Sequence, residues 1–274
     1  MEAKNVLGEL YEPHGLALET ANAVLEVKHP FAVNVALGCP NGCSYCYGPL
    51  SCKVKRENWT NMRTPKEAPT ELVRKQLAKM FEKEPLLSMS GFPRGVFLSF
   101  FTDCFHPDNR KNTEDLIDYL TFGLSSTQIA TSSKLGIYEG EHGSYRIKNG
   151  ISLVSIDERF WKTFEPNAAS PKDRLKSLCV GHERGFSWLS MEPYPSSAIW
   201  KQDLNKFLEE VTFWGVDLIV FGKWNYDKRA STEEARLEYK TNVNVLVDFC
   251  KSNKIRLHVK SETLDFVNGG KRGR

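Results

Sequence analysis

Three cysteines stand on one short stretch, Cys39-Pro-Asn-Gly-Cys43-Ser-Tyr-Cys46, directly after the apolar run Phe31-Ala-Val-Asn-Val-Ala-Leu37. The spacing, Cys-x3-Cys-x2-Cys, obliges the fold to hold a strand-end loop so that three thiols face one space. Three thiolates can occupy three irons of a cubane 4Fe–4S cluster, and the fourth iron then stays open for an exogenous ligand. Tyr45, just before the last cysteine, and Tyr47, just after it, give such a loop apolar cover, which helps to set cluster potential.

Other uses of the triplet fit less well. A structural zinc site usually takes four ligands, commonly as two pairs. Here Cys52 follows Cys46 by six residues, and no second Cys-x2-Cys pair exists. The chain holds seven cysteines, an odd count, and its first residues, Met1-Glu-Ala-Lys-Asn5, lack the basic-then-apolar layout of an export signal. A disulfide framework is therefore not expected. No apolar run approaches the roughly 18 residues needed to cross a bilayer. The expectation is a cytoplasmic, reducing location without membrane contact. An open iron on a cubane is also the means by which S-adenosylmethionine is bound and cleaved to a carbon radical, a chemistry that a protein positions and controls.

Apolar, β-branched or aromatic runs at residues 31–37, 96–101, 128–131, 151–155, 187–191 and 217–221 predict strands, with a possible last one at 256–259. Helical patterns fall between them at 69–82, 113–123, 171–179, 202–211 and 232–252. Thr70 is a candidate cap with Glu71 in its first turn, and Ser170-Pro171 is a cap followed by a first-turn proline. Such alternation predicts parallel strands joined by right-handed crossovers. The fold class expected is α/β, a partial (β/α)6 TIM-like barrel open on one side. A doubly wound open sheet is the alternative, although no Gly-x-Gly-x-x-Gly follows the first strand. The expected layout is an N-terminal extension over residues 1–28, the barrel over 29–262 and a flexible basic tail over 263–274.

Barrel enzymes place their chemistry at the C-terminal ends of the strands, and the unusual residues fall there. The cysteine loop follows the first expected strand, and Thr102-Asp103-Cys104-Phe-His106 the second. Ser132-Ser133-Lys134 follows the third, Asp157 and Glu158 the fourth, Glu192-Pro193-Tyr194 the fifth and Lys223-Trp224-Asn225 the sixth. Glu192 is a candidate for touching cofactor or substrate, or for capping a turn. Trp224 and Tyr226 suit stacking on a flat substrate, or rim packing.

The stretch Asn34-Val-Ala-Leu-Gly38-Cys39 through Tyr47 resembles the cluster loop of radical S-adenosylmethionine enzymes. More narrowly, it is similar to the spore photoproduct lyase branch, also described as DNA repair photolyase-like. Leu98-Ser-Phe-Phe-Thr102-Asp103-Cys-Phe-His-Pro107 resembles that branch's second-strand segment. Ser155-Ile-Asp-Glu158 and Phe164-Glu165-Pro166 through Arg174-Leu175 resemble its Leu-Glu-Pro…Arg-Leu stretch. The resemblance implies a 4Fe–4S cluster on Cys39, Cys43 and Cys46, with S-adenosylmethionine held at the strand ends. It makes Ser99, Thr102 and Asp103 candidates for the amino and carboxylate groups. Ser132, Ser133 and Lys134 become candidates for the carboxylate or ribose, and Ser152 and Ser155 for the ribose hydroxyls. Two departures stand out: Thr131-Ser-Ser-Lys134 replaces a Thr-Lys, and Phe101 holds the place of the lyase's hydrogen-donating cysteine. The nearest thiol there is Cys104, with His106 two residues on: a candidate hydrogen-atom donor, or else a cysteine packed at a strand end.

The function this implies is reductive cleavage of S-adenosylmethionine to a 5′-deoxyadenosyl radical, which abstracts hydrogen from a substrate that the sequence leaves open among DNA, RNA, a peptide and a small molecule. An electron donor such as flavodoxin or ferredoxin is the implied partner. Direct reversal of a DNA photolesion is the alternative within the same chemistry. A zinc- or cluster-stabilised nucleic-acid-binding protein without turnover is the alternative outside it. The basic stretch Lys53-Val-Lys55-Arg56 favours nucleic acid, whereas a net charge of only +3 is modest for a dedicated binding module.

Overall fold

The structure, a computed structural model, describes residues 7–124, 126–140 and 144–270. Seven parallel strands form one sheet in the order β1 to β7, each hydrogen-bonded to the next in sequence. A helix, α1 (Gly15–Leu25), precedes β1 (Phe31–Val33), which is followed by α2 (Gly48–Ser51), α3 (Pro69–Lys83) and α4 (Pro85–Met89). Next come β2 (Gly95–Leu98), α5 (Pro107–Gly123), β3 (Gln128–Thr131), β4 (Ile147–Ser152), α6 (Glu158–Phe164) and α7 (Pro171–Glu183). The chain continues through β5 (Ser187–Tyr194), α8 (Leu204–Phe213), β6 (Leu218–Lys223), α9 (Glu233–Asn253), β7 (Arg256–Val259) and α10 (Ser261–Val267). The result is a partial TIM-like barrel with α/β connectivity, and the strand that the sequence marked only as possible completes it as the seventh.

The strands are buried on both faces, and successive side chains divide between two environments, as a period of two requires. Val33, Val96, Leu98 and Ile129 pack outward on Val73 and Leu77 of α3 and Leu116, Ile117 and Leu120 of α5. Their neighbours Ala32, Phe97 and Ala130, with Trp188, Leu218 and Val220, pack on Ala21, Val24 and Leu25 of α1. The first helix thus sits on the concave side of the sheet and fills the barrel's lumen. Gly150 allows this packing: a Cβ there would come 2.2 Å from the Thr131 carbonyl oxygen and 2.3 Å from Trp188 Cε2. The far edge grips the same helix, for Lys260 Nζ donates to Leu16 O and Thr20 Oγ1, both at 2.6 Å. Arg256 donates to Ala23 O at 3.0 Å.

Several local expectations are corrected. Helix α1 lies inside the barrel, so much of residues 1–28 is part of the fold and not an appendage; residues 1–6 lie outside the described residues. Helix α10 runs across the expected boundary at 262, and Thr263 and Val267 in it are buried. Of the expected basic tail, 271–274 lies outside the described residues. Thr70 is the second helical residue of α3, which opens on Pro69 without a side-chain cap. Ser170 does cap α7, accepting from Asp173 N at 3.2 Å. Helix α5 begins at Pro107, earlier than its apolar periodicity indicates, because the His106 ring accepts from Asp108 N. Strand β4 spans Ile147–Ser152, which places Ser155 beyond its end. Among the described residues no helix is long and apolar enough to cross a membrane.

If α1 is a core element, Leu25→Ala, at a site 2% exposed, lowers the unfolding free energy by about 2–5 kcal/mol in urea titrations. Leu86→Ala, at a site 76% exposed, changes it by less than about 0.5 kcal/mol.

Candidate active site

A cavity of about 570 Å³ opens at the C-terminal ends of the strands. Cys39, Cys43 and Cys46 line one side of it. The ends of β2 to β5 contribute Ser99, Thr102, Asp103, Ser132, Ser133, Lys134, Ser152 and Glu192. Tyr45 also reaches it, and α1 and the segment before it add Tyr11, His14 and Thr20.

The cysteine loop is held by its main chain. Gly38, at φ 100°, takes a left-handed turn that glycine adopts freely, and its N–H donates to Phe101 O at 3.1 Å. Leu37 and Arg63 exchange two backbone hydrogen bonds, at 2.9 and 2.8 Å, and Cys39 N donates to Trp59 O at 3.0 Å. On the other flank Ser44 N donates to Phe164 O at 2.9 Å, and Asn167 Nδ2 to Pro40 O at 2.9 Å. Arg56 reaches back to the carbonyls of Cys43 and Cys46 at 3.2 and 2.8 Å.

All three cysteines are free thiols. Burial pushes each above the ordinary thiol range, Cys43 to about 12, and Asp103 adds to the effect on Cys39. Metal binding to such thiols displaces their protons. Gly48 N–H already points at Cys46 Sγ, 3.4 Å away. Among the described residues no three His, Cys, Asp or Glu side chains gather closely enough for a single ion. Three soft donors on one loop, facing a cavity, can hold three irons of a cubane, each thiolate on its own iron.

Two charge networks fix the loop against the rest of the barrel. Asp103 accepts from Asn41 Nδ2 at 2.8 Å and Lys134 N at 2.8 Å through Oδ2. Its Oδ1 accepts from Ser133 Oγ at 2.6 Å and Phe105 N at 3.1 Å. Asp103 is thus fully engaged as a latch between the cysteine loop and the turn after β3, and Ser133 is committed to it. Both side chains also line the cavity.

The second network centres on Glu165, which is 1% exposed. Its Oε1 accepts from Tyr45 OH and from Lys134 Nζ at 2.9 Å, and its Oε2 from Arg174, which is fully buried. Arg174 also donates to Ser152 O at 2.9 Å, and Lys134 to Tyr45 OH at 2.9 Å. Burial alone drives the Glu165 carboxyl upward, but the Lys134 and Arg174 cations more than offset it and hold the group at about 2. Lys134 is therefore neutralised by protein.

The remaining expected residues fall as follows. Ser99, at φ 71°, lines the cavity while its Oγ accepts from Val35 N at 3.3 Å. Thr102 Oγ1 accepts from Asn109 Nδ2 at 3.1 Å. Ser132 and Ser152 lie on neighbouring strand ends in the cavity lining, with hydroxyls 3.4 Å apart. Burial raises the Glu192 carboxyl, and Lys260 Nζ stands 3.9 Å from it. Ser155 lies outside the cavity; its hydroxyl accepts from Asp157 N at 3.2 Å, ahead of α6. Cys104 is also outside. It is fully buried on the outward face among Val33, Leu98 and Leu116, with Sγ 3.7 Å from Ser132 O, and His106 is occupied capping α5. Trp224 is core, packed edge-on to Tyr45 at 4.9 Å, whereas Tyr226 is exposed at the mouth.

Asn225, marked at the end of the sixth expected strand, lines the cavity; Trp188, Ser190, Lys260 and the residues brought by α1 line it without having been singled out in the sequence. Glu165 and Arg174 stood in a motif without a role; paired charges flanking Ser170-Pro171 were the available signal.

No family model matches the chain. It is 23% identical over 243 residues to the uncharacterised protein ORF301 of Acidianus two-tailed virus, covering 84% of this chain and 78% of that protein. Among solved structures it is similar to a doubly substituted spore photoproduct lyase with bound S-adenosylmethionine and dinucleoside spore photoproduct, with a TM-score of 0.60 and 13% identity. That superposition covers 84% of this chain and 76% of the other. A singly substituted form of the lyase gives a TM-score of 0.58 and 14% identity over the same shares. The chain has the fold of spore photoproduct lyase. The likeness agrees with the resemblance carried by the cysteine loop and by the segments around Asp103 and Glu165.

Glu165→Gln leaves buried Arg174 and half-buried Lys134 without their partner and lowers stability by about 3–5 kcal/mol. Because Glu165 titrates in the fold below its unfolded value of about 4.3, its stabilisation is complete above that value and is lost as the pH falls toward 2. Urea unfolding between about pH 6 and about pH 3 therefore shows a slope in the native chain that is reduced in Glu165→Gln.

Proposed function

We propose that this chain is a radical S-adenosylmethionine enzyme. The observation that carries the reading is the set of three free thiols on the loop after β1, facing a 570 Å³ cavity at the strand ends. Bound together, a 4Fe–4S cluster and S-adenosylmethionine supply one-electron reductive cleavage of the cofactor to a 5′-deoxyadenosyl radical. Cys39, Cys43 and Cys46 hold the cluster, and a one-electron donor of the flavodoxin or ferredoxin kind serves it. Ser132 and Ser152 supply paired hydroxyls on one wall of the cavity. Trp188 and Phe97 form an apolar floor against α1, which excludes water from a reactive site. Glu192 and Lys260, 3.9 Å apart, place a carboxyl and an amine in the cavity lining, where substrate groups can meet them.

Reversal of a DNA photolesion is the second reading, supported by the fold shared with a lyase whose structure contains a dinucleoside spore photoproduct. Against a thiol-dependent version stands the cavity lining: its cysteines are the three of the loop, and Cys104 faces the outer core.

The test is anaerobic reconstitution followed by dithionite and S-adenosylmethionine, with quantification of 5′-deoxyadenosine. The native chain binds about four irons and forms product; the Cys39→Ala/Cys43→Ala/Cys46→Ala variant does neither. Zinc in place of iron, or an intact cluster without product, overturns the reading. Product formation followed by assay on irradiated DNA then separates the two substrate readings.

A further inference from the structure

Trp59 ends in a donor that the protein leaves without a full partner. The residue is 3% exposed, and its Nε1 makes no hydrogen bond of complete geometry. A buried N–H in that state is costly and calls for an explanation. Its surroundings supply one. The Trp59 carbonyl accepts from Cys39 N at 3.0 Å. Its ring lies flush on Gly48, where a Cβ would come 2.2 Å from Cζ2. Gly48 is the residue whose own N–H points at Cys46 Sγ, at 3.4 Å. The missing side chain at position 48 is what lets the indole settle beside the last cysteine.

The Trp59 indole lies over the turn that carries that sulfur. Its Cε2, the carbon bonded to Nε1, would stand 2.8 Å from a Cβ on Gly48, whose own N–H is 3.4 Å from Cys46 Sγ. A neutral thiol is a weak acceptor and leaves the indole N–H poorly matched, whereas a thiolate is a strong one. The arrangement is built for a charged sulfur.

We infer that Trp59 is a positioning residue for the cluster, its indole N–H joining the Gly48 N–H as donors to Cys46 sulfur and raising the potential at which the cluster accepts an electron. The inference rests on the functional reading above. Adding an electron places more negative charge on the cluster and its sulfurs, so aligned N–H donors stabilise the reduced state over the oxidised one. Trp59→Phe keeps the ring against Gly48 and removes only the donor.

The experiment is a redox titration of the reconstituted protein, followed by the electron paramagnetic resonance signal of the reduced cluster. Trp59→Phe, at unchanged iron and sulfide per chain, shifts the midpoint to more negative potential. The reduced-to-oxidised ratio at fixed poise falls about tenfold, equal to about 59 mV for one electron. Trp200→Phe serves as control, since its Nε1 is also unpartnered but its ring packs on Phe160 and Phe164 and not on Gly48; it leaves the midpoint in place. Native protein grown with 15N-indole gives a second measurement that needs no folded variant: pulsed resonance detects a nitrogen coupling from one tryptophan. An unchanged midpoint in Trp59→Phe, or no 15N coupling in the loaded native protein, overturns the role of Trp59 and leaves the cluster assignment standing. Failure of the native chain to assemble any cluster overturns both.

Discussion

The carboxylate of Glu165 is the point on which the site's geometry depends. It joins Tyr45 of the cysteine loop, Lys134 after β3 and Arg174 of α7, three segments far apart in sequence. A buried ion pair is weak evidence of stability, because desolvation opposes the attraction. Its worth here is directional. A carboxylate surrounded by two cations and a phenol has few alternative placements, so each partner is held where the others require. The Asp103 latch does the same on the opposite flank through Asn41, Ser133 and Lys134. Between them the cysteine loop, which has little regular structure of its own, is fixed from both sides.

The helix in the lumen sets how deep that site is. Ala21, Val24 and Leu25 fill the lower barrel, and the cavity begins above them. Small residues on α1 and on the facing strands, Ala32 and Ala130 among them, allow this close approach. A seven-strand sheet that is not closed into a ring has room for such a helix, and the polar grip of β7 on α1 draws its far edge inward.

The barrel class was readable because parallel strands buried on both faces appear as continuous apolar runs between amphipathic helices. The cysteine spacing was readable because ligand number and proximity are properties of sequence itself. What escaped reading has physical causes. The first half of β4, Ile-Lys-Asn-Gly, is partly polar because Lys148 snorkels to Glu26 and Gly150 makes way for Trp188. Asp103 and Cys104 are neighbours on one segment, yet they face opposite sides of the sheet wall, and a linear motif carries no sign of which side is the cavity. Glu165 gave no functional signal because its partners come from three other segments. The lining supplied by α1 was hidden for the simplest reason: nothing in its amphipathic pattern says that the surface it covers is the inside of a barrel.

The grip of Lys260 on Leu16 and Thr20 links positions about 240 residues apart, and it bears on the order of assembly. At about 5–20 residues per second, a ribosome takes some tens of seconds to pass from the codon for Thr20 to that for Lys260. For most of that interval the cysteine loop has been made, but the wall that encloses it has not. On the functional reading proposed above, iron and sulfide have an open path to the loop during synthesis, before the last strand docks and the lumen helix is locked. The enclosure that later shields the site from water is put in place last.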